Sequence, residues 1–164
     1  MKYTDEVRNH FRCAPAFTIS DMKIFLGKKG ISDSYLRLLV HKMLAKKEIY
    51  RITRGIYTFR NETQIVGFGF KPFYHGLQDA LSLHNLWEQE TNPVVITPRN
   101  IRSGIRDFEG ANYVVRRISR RMFFGFEMMK YSDFWIPVTG VEKTLIDFVY
   151  FREPLAAQAL DGIR

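Results

Sequence analysis

The first part of the chain repeats apolar residues at helical intervals. Tyr3, Val7 and Phe11 are four residues apart, which predicts a first helix that Pro15 ends. A second helix is predicted over 18–26, because the Thr18 hydroxyl can accept a hydrogen bond from a free backbone N–H of the first turn. Two short helices therefore precede the glycine-rich break at residues 27–30.

A third helix is predicted from residue 33 to about residue 46, with Ser32 as its N-cap. Its buried side consists of apolar residues at helical spacing, namely Leu36, Leu39, Val40, Met43 and Leu44. The opposite side is polar and basic: it carries Ser34, Tyr35, Arg37, His41, Lys42 and Lys46. The residues on this polar side are our candidates for contacts with DNA.

Two runs that alternate apolar and polar residues follow the third helix. They cover residues 49–53 and 56–59 and meet at Arg54-Gly55, which predicts a β-hairpin. Three short helices and a hairpin predict a winged helix-turn-helix over residues 1–60, whose third helix has the polar face that can enter a major groove. Arg51 and Arg54 in the hairpin are further candidates for DNA contacts.

The remainder of the chain predicts a small α+β domain at residues 72–164, after a connection at residues 61–71 with a short strand at Ile65-Val66. We expect a helix from Pro72 to Leu86, with Leu77 and His84 on one face, and strands at residues 94–97, 113–115 and 134–136. The fold class is thus α+β, with an N-terminal winged helix-turn-helix and a second α+β domain.

A last long helix is expected after Thr139, which would form a capping box with Glu142. Its predicted buried stripe consists of apolar residues, namely Val141, Leu145, Ile146 and Val149. Residues 155–164 read as a short helical stub.

The positive charge is concentrated in the first sixty residues. They contain thirteen Lys and Arg against five Asp and Glu, which equals the net charge of +8 of all 164 residues. A local cation excess is what neutralisation of DNA phosphates requires. The alternative is a basic face that is merely solvated.

Seven arginines in the second domain form another basic segment, although that domain is neutral as a whole. They are Arg99, Arg102, Arg106, Arg116, Arg117, Arg120 and Arg121. A second stripe of phosphate contacts is one interpretation, and a solvated or subunit-facing surface is the other.

The cysteine content and the hydropathy of the chain indicate the cellular compartment. Cys13 is the sole cysteine, so neither an intramolecular disulfide nor a cysteine metal cluster can form. The chain begins without the apolar core of a signal peptide, and no stretch approaches the roughly 20 apolar residues of a membrane span. We expect a cytoplasmic protein that does not enter membranes.

The sequence contains little that supports a catalytic function. A restriction-type nuclease needs an acidic residue and a D/E-x-K pair for Mg²⁺, whereas Glu142 and Lys143 are adjacent and Asp147 lies on the same predicted helix. The four histidines lack metal-ligand spacing. We expect no enzyme, cofactor or metal; a divergent nuclease and a protein-interaction module that docks a partner through the α+β domain are the alternatives.

Three ordered motifs resemble one known family, the AbiEi-like antitoxins of type IV abortive-infection systems. Residues 54–57 (RGIY) resemble the family's RGxY, residues 74–86 resemble YxGLxSALxxHGL, and residues 142–147 (EKTLID) resemble EKALLD. Asp79 stands where the pattern usually has Ser, and Asn85 where it usually has Gly. The motifs span most of the chain.

The resemblance implies an autorepressor of its own operon. Such a protein binds inverted repeats in double-stranded DNA at its promoter, from which we expect a homodimer on DNA. It also implies a nucleotidyltransferase-like toxin as the functional partner, opposed without a stable complex.

Overall fold

Three helices and a small antiparallel sheet make up the first of two units in the computed structural model, which describes residues 1–155. The first unit is Met1–Gly69 and the second begins at Phe70. The 3-10 helix Thr63–Gly69, in the expected connection, belongs to the first unit. The fold is mixed α+β, as expected.

The first unit runs helix, strand, helix, helix, strand, strand. Its elements are α1 (Thr4–Phe11), β1 (Phe17–Thr18), α2 (Ile19–Phe25), α3 (Asp33–Ala45), β2 (Tyr50–Thr53) and β3 (Ile56–Thr58). The three strands form an antiparallel sheet in the order β1-β3-β2. The sequence prediction missed β1, because two residues are too few for a strand pattern to be visible.

Side-chain caps define where the second and third helices begin. The Thr18 hydroxyl accepts from the backbone N–H of Asp21, whose carboxylate accepts in turn from the Thr18 N–H. The Ser32 hydroxyl accepts from the Tyr35 N–H. Both predicted N-caps are confirmed, and each satisfies a backbone donor that has no partner inside its helix.

The segment at residues 63–69 corrects one prediction. Ile65 and Val66 are fully buried, as an apolar pair should be, but they lie in a 3-10 helix and not in a strand. Two apolar residues carry too little periodicity to tell the two apart. A β-carbon on Gly69 would lie 2.7 Å from Cγ2 of Ile52, so this close approach requires glycine.

The second unit is built on a six-stranded sheet. Its elements are β4 (Tyr74–His75), α4 (Leu77–Leu83), β5 (Val94–Thr97), β6 (Gly104–Phe108), β7 (Ala111–Arg117), β8 (Phe126–Tyr131), β9 (Phe134–Thr139) and α5 (Val141–Tyr150). The strand order is β6-β7-β5-β4-β9-β8, in which β5–β7 and β4–β9 are parallel and the other pairs antiparallel.

The helix predicted from Pro72 to Leu86 is wrong at both ends. Tyr74 and His75 form the central strand β4, and the helix covers only Leu77–Leu83. A Cβ on Gly76 would lie 2.5 Å from Cδ1 of Ile96, so the chain turns tightly against β5 between strand and helix. The three predicted strands are confirmed inside β5, β7 and β9. The edge strands β6 and β8 were missed because their residues are mostly exposed and show no apolar alternation.

Two predictions about α5 are also wrong. Its N-cap is Gly140, not Thr139, which ends β9 and is fully buried with its hydroxyl 2.8 Å from that of Thr144. The buried side of α5 is turned from the predicted apolar stripe and holds Lys143, Thr144, Asp147 and Phe148. Ile146 and Val149 are 45% and 79% exposed.

The stub expected at the chain end lies, from residue 156 onward, outside the described residues. Within residues 1–155, none of the helices has the length and apolar character needed to cross a membrane.

Candidate nucleic-acid interface

The exposed face of α3 presents most of the predicted contact residues on one side of the helix. Ser34, Arg37, His41, Lys42 and Lys46 are all exposed. They face outward because the other side of the helix packs into the core of the first unit through Leu36, Leu39, Val40 and Met43.

Tyr35 occupies a different position from the other predicted residues of this helix. It is half-buried, its hydroxyl donates to the carbonyl of Lys2, and its ring meets the Tyr3 ring edge-on at a centroid distance of 6.0 Å. Burial raises the pKa of Tyr35 above its ordinary value, with a smaller contribution from Tyr3. Tyr35 thus fastens the start of α3 to the chain before α1.

The five acidic residues among the first sixty all have partners away from the exposed face of α3. Asp5 and Glu48 both pair with Arg8, each at 2.6 Å, and Glu6 pairs with Lys29. Asp33 lies 3.0 Å from Lys23 Nζ, and Asp21 caps α2. No ion pair with a residue in 1–155 involves Arg37, Lys42 or Lys46. Within residues 1–155, Arg37, Lys42 and Lys46 on this side of α3 and at its end therefore carry positive charge that no acidic residue pairs with.

The hairpin supplies two more exposed arginines. Arg51 and Arg54 lie in β2 and at the turn, respectively, and both are exposed. Gly55 has a φ of 80°, a left-handed value that glycine adopts without steric cost, and the register shifts between Arg51 and Thr53. The bulge and the turn fix the direction in which the hairpin tip projects.

Leu38 also lies on the exposed face of α3, between Arg37 and His41, and was not among the predicted contact residues. It is 47% exposed although it is apolar. The signal was available, because Leu38 falls outside the helical spacing of Leu36, Leu39 and Met43 and so has no place in the core.

The arginine cluster of the second unit does not form one uniform stripe. Arg116 pairs with Glu153, and its guanidinium lies 4.5 Å from the centroid of the Phe151 ring. Arg106 donates to the Arg102 carbonyl at 3.0 Å and lies 5.1 Å from the Phe70 ring centroid. These two guanidinium groups are held by contacts inside the unit. The remaining five side chains are exposed: Arg99, Arg102, Arg117, Arg120 and Arg121.

A buried polar network joins two of the motifs that carry the family resemblance. The Tyr74 hydroxyl donates to Oδ2 of Asp147 at 2.7 Å, and the Lys143 ammonium donates to Oδ1 of the same carboxylate. Nε2 of His84 lies 2.7 Å from the carbonyl oxygen of Thr139. Burial, and then the hydrogen bond to Asp147, raise the pKa of Tyr74 far above its ordinary value. These motif residues hold β4, α4, β9 and α5 together.

Both departures from the family pattern fit their places in the structure. Asp79 is buried, accepts from the Val94 N–H at 3.0 Å and lies 2.7 Å from Nδ1 of His75. Asn85 has a φ of 60°, and the hydrogen bond from Leu86 N–H to the Leu81 carbonyl closes the helix end. Asparagine tolerates this left-handed position better than other residues with a β-carbon.

The residues considered for a nuclease lie in different environments. Glu142 is exposed, whereas Lys143 and Asp147 are buried and paired with each other. In the described part of the chain, no three His, Cys, Asp or Glu side chains are grouped so as to hold a metal ion. The cluster that could have held Mg²⁺ is thus an internal ion pair.

No protein-family model matches the chain, and no curated protein sequence matches it.

Proposed function

We propose that residues 1–60 form a winged helix-turn-helix and that the chain is a sequence-specific regulator of transcription that binds double-stranded DNA. The order of α1, β1, α2, α3 and the β2–β3 hairpin is typical of that domain, and a two-residue strand pairs with the hairpin. In this arrangement α3 enters the major groove and the hairpin lies beside it.

The observation that carries the proposal is the cationic face of α3, with which no acidic residue of the described part of the chain pairs. All five acids of the segment are engaged elsewhere, so Arg37, Lys42 and Lys46 are available to phosphates and bases. A guanidinium such as that of Arg37 can read guanine through two parallel hydrogen bonds, whereas lysines act as point charges on phosphate. Ser34 and His41 add polar contacts on the same face.

The hairpin contributes the second part of the proposed interface. Arg51 and Arg54 are exposed and reach the minor groove or the backbone beside α3. Contacts of this kind fix register and orientation on the duplex, while contacts from α3 supply sequence discrimination.

We further propose that the regulator is an autorepressing antitoxin of a type IV system, acting in the cytoplasm. This part rests on the three motifs at residues 54–57, 74–86 and 142–147. It implies a homodimer on inverted repeats at its own promoter, and a nucleotidyltransferase-like toxin opposed without a stable complex.

A mobility-shift titration tests the DNA-binding proposal. The probe is the promoter region of the protein's own operon, and the competitor is a shuffled duplex of equal length and base composition. We expect a preference for the promoter of about a thousandfold or more at physiological salt, as for other specific regulators. Equal affinity for both duplexes would remove the claim of specificity.

The antitoxin part has its own test, which leaves the first one intact. Co-expression with the neighbouring gene product should rescue growth without yielding a complex on purification. Stoichiometric co-purification would contradict the type IV assignment and would favour an interaction module, whatever the mobility shift shows.

A further inference from the structure

A cavity of about 600 Å³ lies in the second unit, at the edge of the sheet where β5 and β7 end. These two strands are parallel, with Thr97 opposite Arg117, so their carboxyl ends meet at the same edge. In open α/β sheets, ligands bind outside the carboxyl ends of parallel strands, and the β5–β7 pair of this mixed sheet offers an edge of the same kind. The volume of the cavity is within the range of small-molecule sites.

Three arginines face this cavity, namely Arg117, Arg120 and Arg121, and none of the described residues that line it is acidic. None of the three guanidinium groups forms an ion pair with a carboxylate in residues 1–155. Arg116, one position along β7, is held instead by Glu153. Three cations that have no acidic partner in the described residues repel each other across the cavity, and a bound anion relieves that repulsion.

The loop that carries these arginines is fixed by hydrogen bonds. The Ser119 N–H donates to the hydroxyl oxygen of Tyr150 at 3.2 Å, and the Ile118 N–H donates to the Thr97 carbonyl at 3.0 Å. Because the Tyr150 oxygen accepts this bond, its own proton is left to donate to another group. The cavity thus combines three guanidinium forks with one neutral hydroxyl donor.

We propose that this cavity binds the phosphate group of a small molecule. Guanidinium groups match phosphate oxygens through paired, charge-assisted hydrogen bonds. A halide ion cannot form such a pair of hydrogen bonds. A pocket of this volume can accommodate one small molecule, and contact with a DNA backbone is an outcome that the test below distinguishes. The residues of this site all belong to the second unit, and the proposal does not depend on the proposed DNA interface of the first unit.

Isothermal titration with inorganic pyrophosphate, in 150 mM chloride, tests the proposal on the full chain. We expect saturable one-to-one binding that weakens at least about tenfold in Arg120→Ala with Arg121→Ala. Arg102→Ala with Lys130→Ala is the matched control, because it also removes two positive charges and both residues are exposed on the same unit but do not line the cavity. Arg121→Lys keeps the positive charge and loses the planar guanidinium group with its paired donors, so this variant should bind pyrophosphate more weakly than the native chain.

Two results would overturn the proposal. One is no saturable binding of pyrophosphate by the native chain, and the other is equal weakening in the control with Arg102→Ala and Lys130→Ala. If the first result comes together with a loss of affinity for duplex DNA in the Arg120→Ala, Arg121→Ala variant, the arginines contact a DNA backbone instead. Circular dichroism of each variant verifies folding, and Tyr150→Phe, expected to weaken binding severalfold, tests the same cavity without removing a charge.

Discussion

The Tyr74 hydroxyl and the Asp147 carboxylate are joined by a hydrogen bond of 2.7 Å in the core of the second unit. Tyr74 is on the central strand β4 and Asp147 on α5, so the bond links elements that are more than seventy residues apart. Lys143 holds the second oxygen of the same carboxylate. Motif residues that resemble an antitoxin family therefore have a structural role that needs no bound ligand.

We predict that Asp147→Ala destabilises the second unit by about 3–5 kcal/mol, because it leaves the buried Lys143 ammonium without its partner. Tyr74→Phe should cost about 1.5–3 kcal/mol, because it removes a hydrogen bond to a buried carboxylate. Urea unfolding measures both. Glu142→Ala, an exposed change on the same helix, is the control and should leave the free energy of unfolding nearly unaltered.

The raised pKa of Tyr74 predicts a pH dependence of stability. Burial and the hydrogen bond to Asp147 keep the folded phenol protonated, while the unfolded chain ionises near the ordinary tyrosine pKa of about 10. The unfolded state then binds fewer protons, so stability falls above that pH by about 1.4 kcal/mol per pH unit for this group.

The measurement is urea unfolding between pH 9 and 11, on the native chain and on Tyr74→Phe. The variant should show a shallower decline, by the contribution of one proton. Identical slopes would mean that Tyr74 ionises in the folded protein as easily as in the unfolded one.

The two cations on α3 should have separable effects on DNA binding. Lys42→Ala removes a phosphate contact and is expected to reduce the slope of log affinity against log salt by about 0.9. Arg37→Ala removes a base contact and should cost about 1–3 kcal/mol on the promoter, with little effect on random duplex. Both together should weaken binding and flatten the salt dependence.

Arg12→Ala with Lys130→Ala removes the same charge from exposed positions outside α3 and serves as the control for that double variant. If the control flattens the salt dependence equally, α3 is not the reading helix. Anisotropy titrations between 50 and 300 mM salt distinguish the two cases.

Substitution of Leu38 on the same helix should change base discrimination and not the salt dependence. An exposed apolar side chain beside Arg37 can contact the methyl group of thymine, which carries sequence information without charge. Leu38→Ala should thus reduce discrimination between thymine and uracil at one promoter position, with the salt slope retained. Ile24→Ala on α2 is a matched control, since Ile24 is 81% exposed. A loss that is equal on both bases would exclude the methyl contact.

The α3 face was predictable from sequence, because one helix with a strong apolar stripe determines by elimination which residues are exposed. Tyr35 was misplaced for a physical reason: its hydroxyl finds the carbonyl of Lys2, a partner 33 positions away that no local spacing reveals. The same limit explains why the buried side of α5 was predicted wrongly. Its buried side contains Lys143 and Asp147, which are tolerated in the core only because each neutralises the other and Tyr74 completes the set.

The second unit was harder to predict because its order depends on contacts between distant strands. β4 has only two residues, and its place at the centre of the sheet follows from pairing with β5 and β9. The edge strands β6 and β8 have few buried residues and so lack the alternation that reveals a half-buried strand.

Whether α3 reads DNA is decided by two affinities, one for the promoter duplex and one for its shuffled counterpart. Both are measured for the native chain and for Arg37→Ala with Lys42→Ala. We expect a preference of about a thousandfold in the native chain, most of which the double variant loses. A native chain that binds the two duplexes equally, or a variant that keeps the full preference, would contradict the assignment of α3 as the helix that reads DNA.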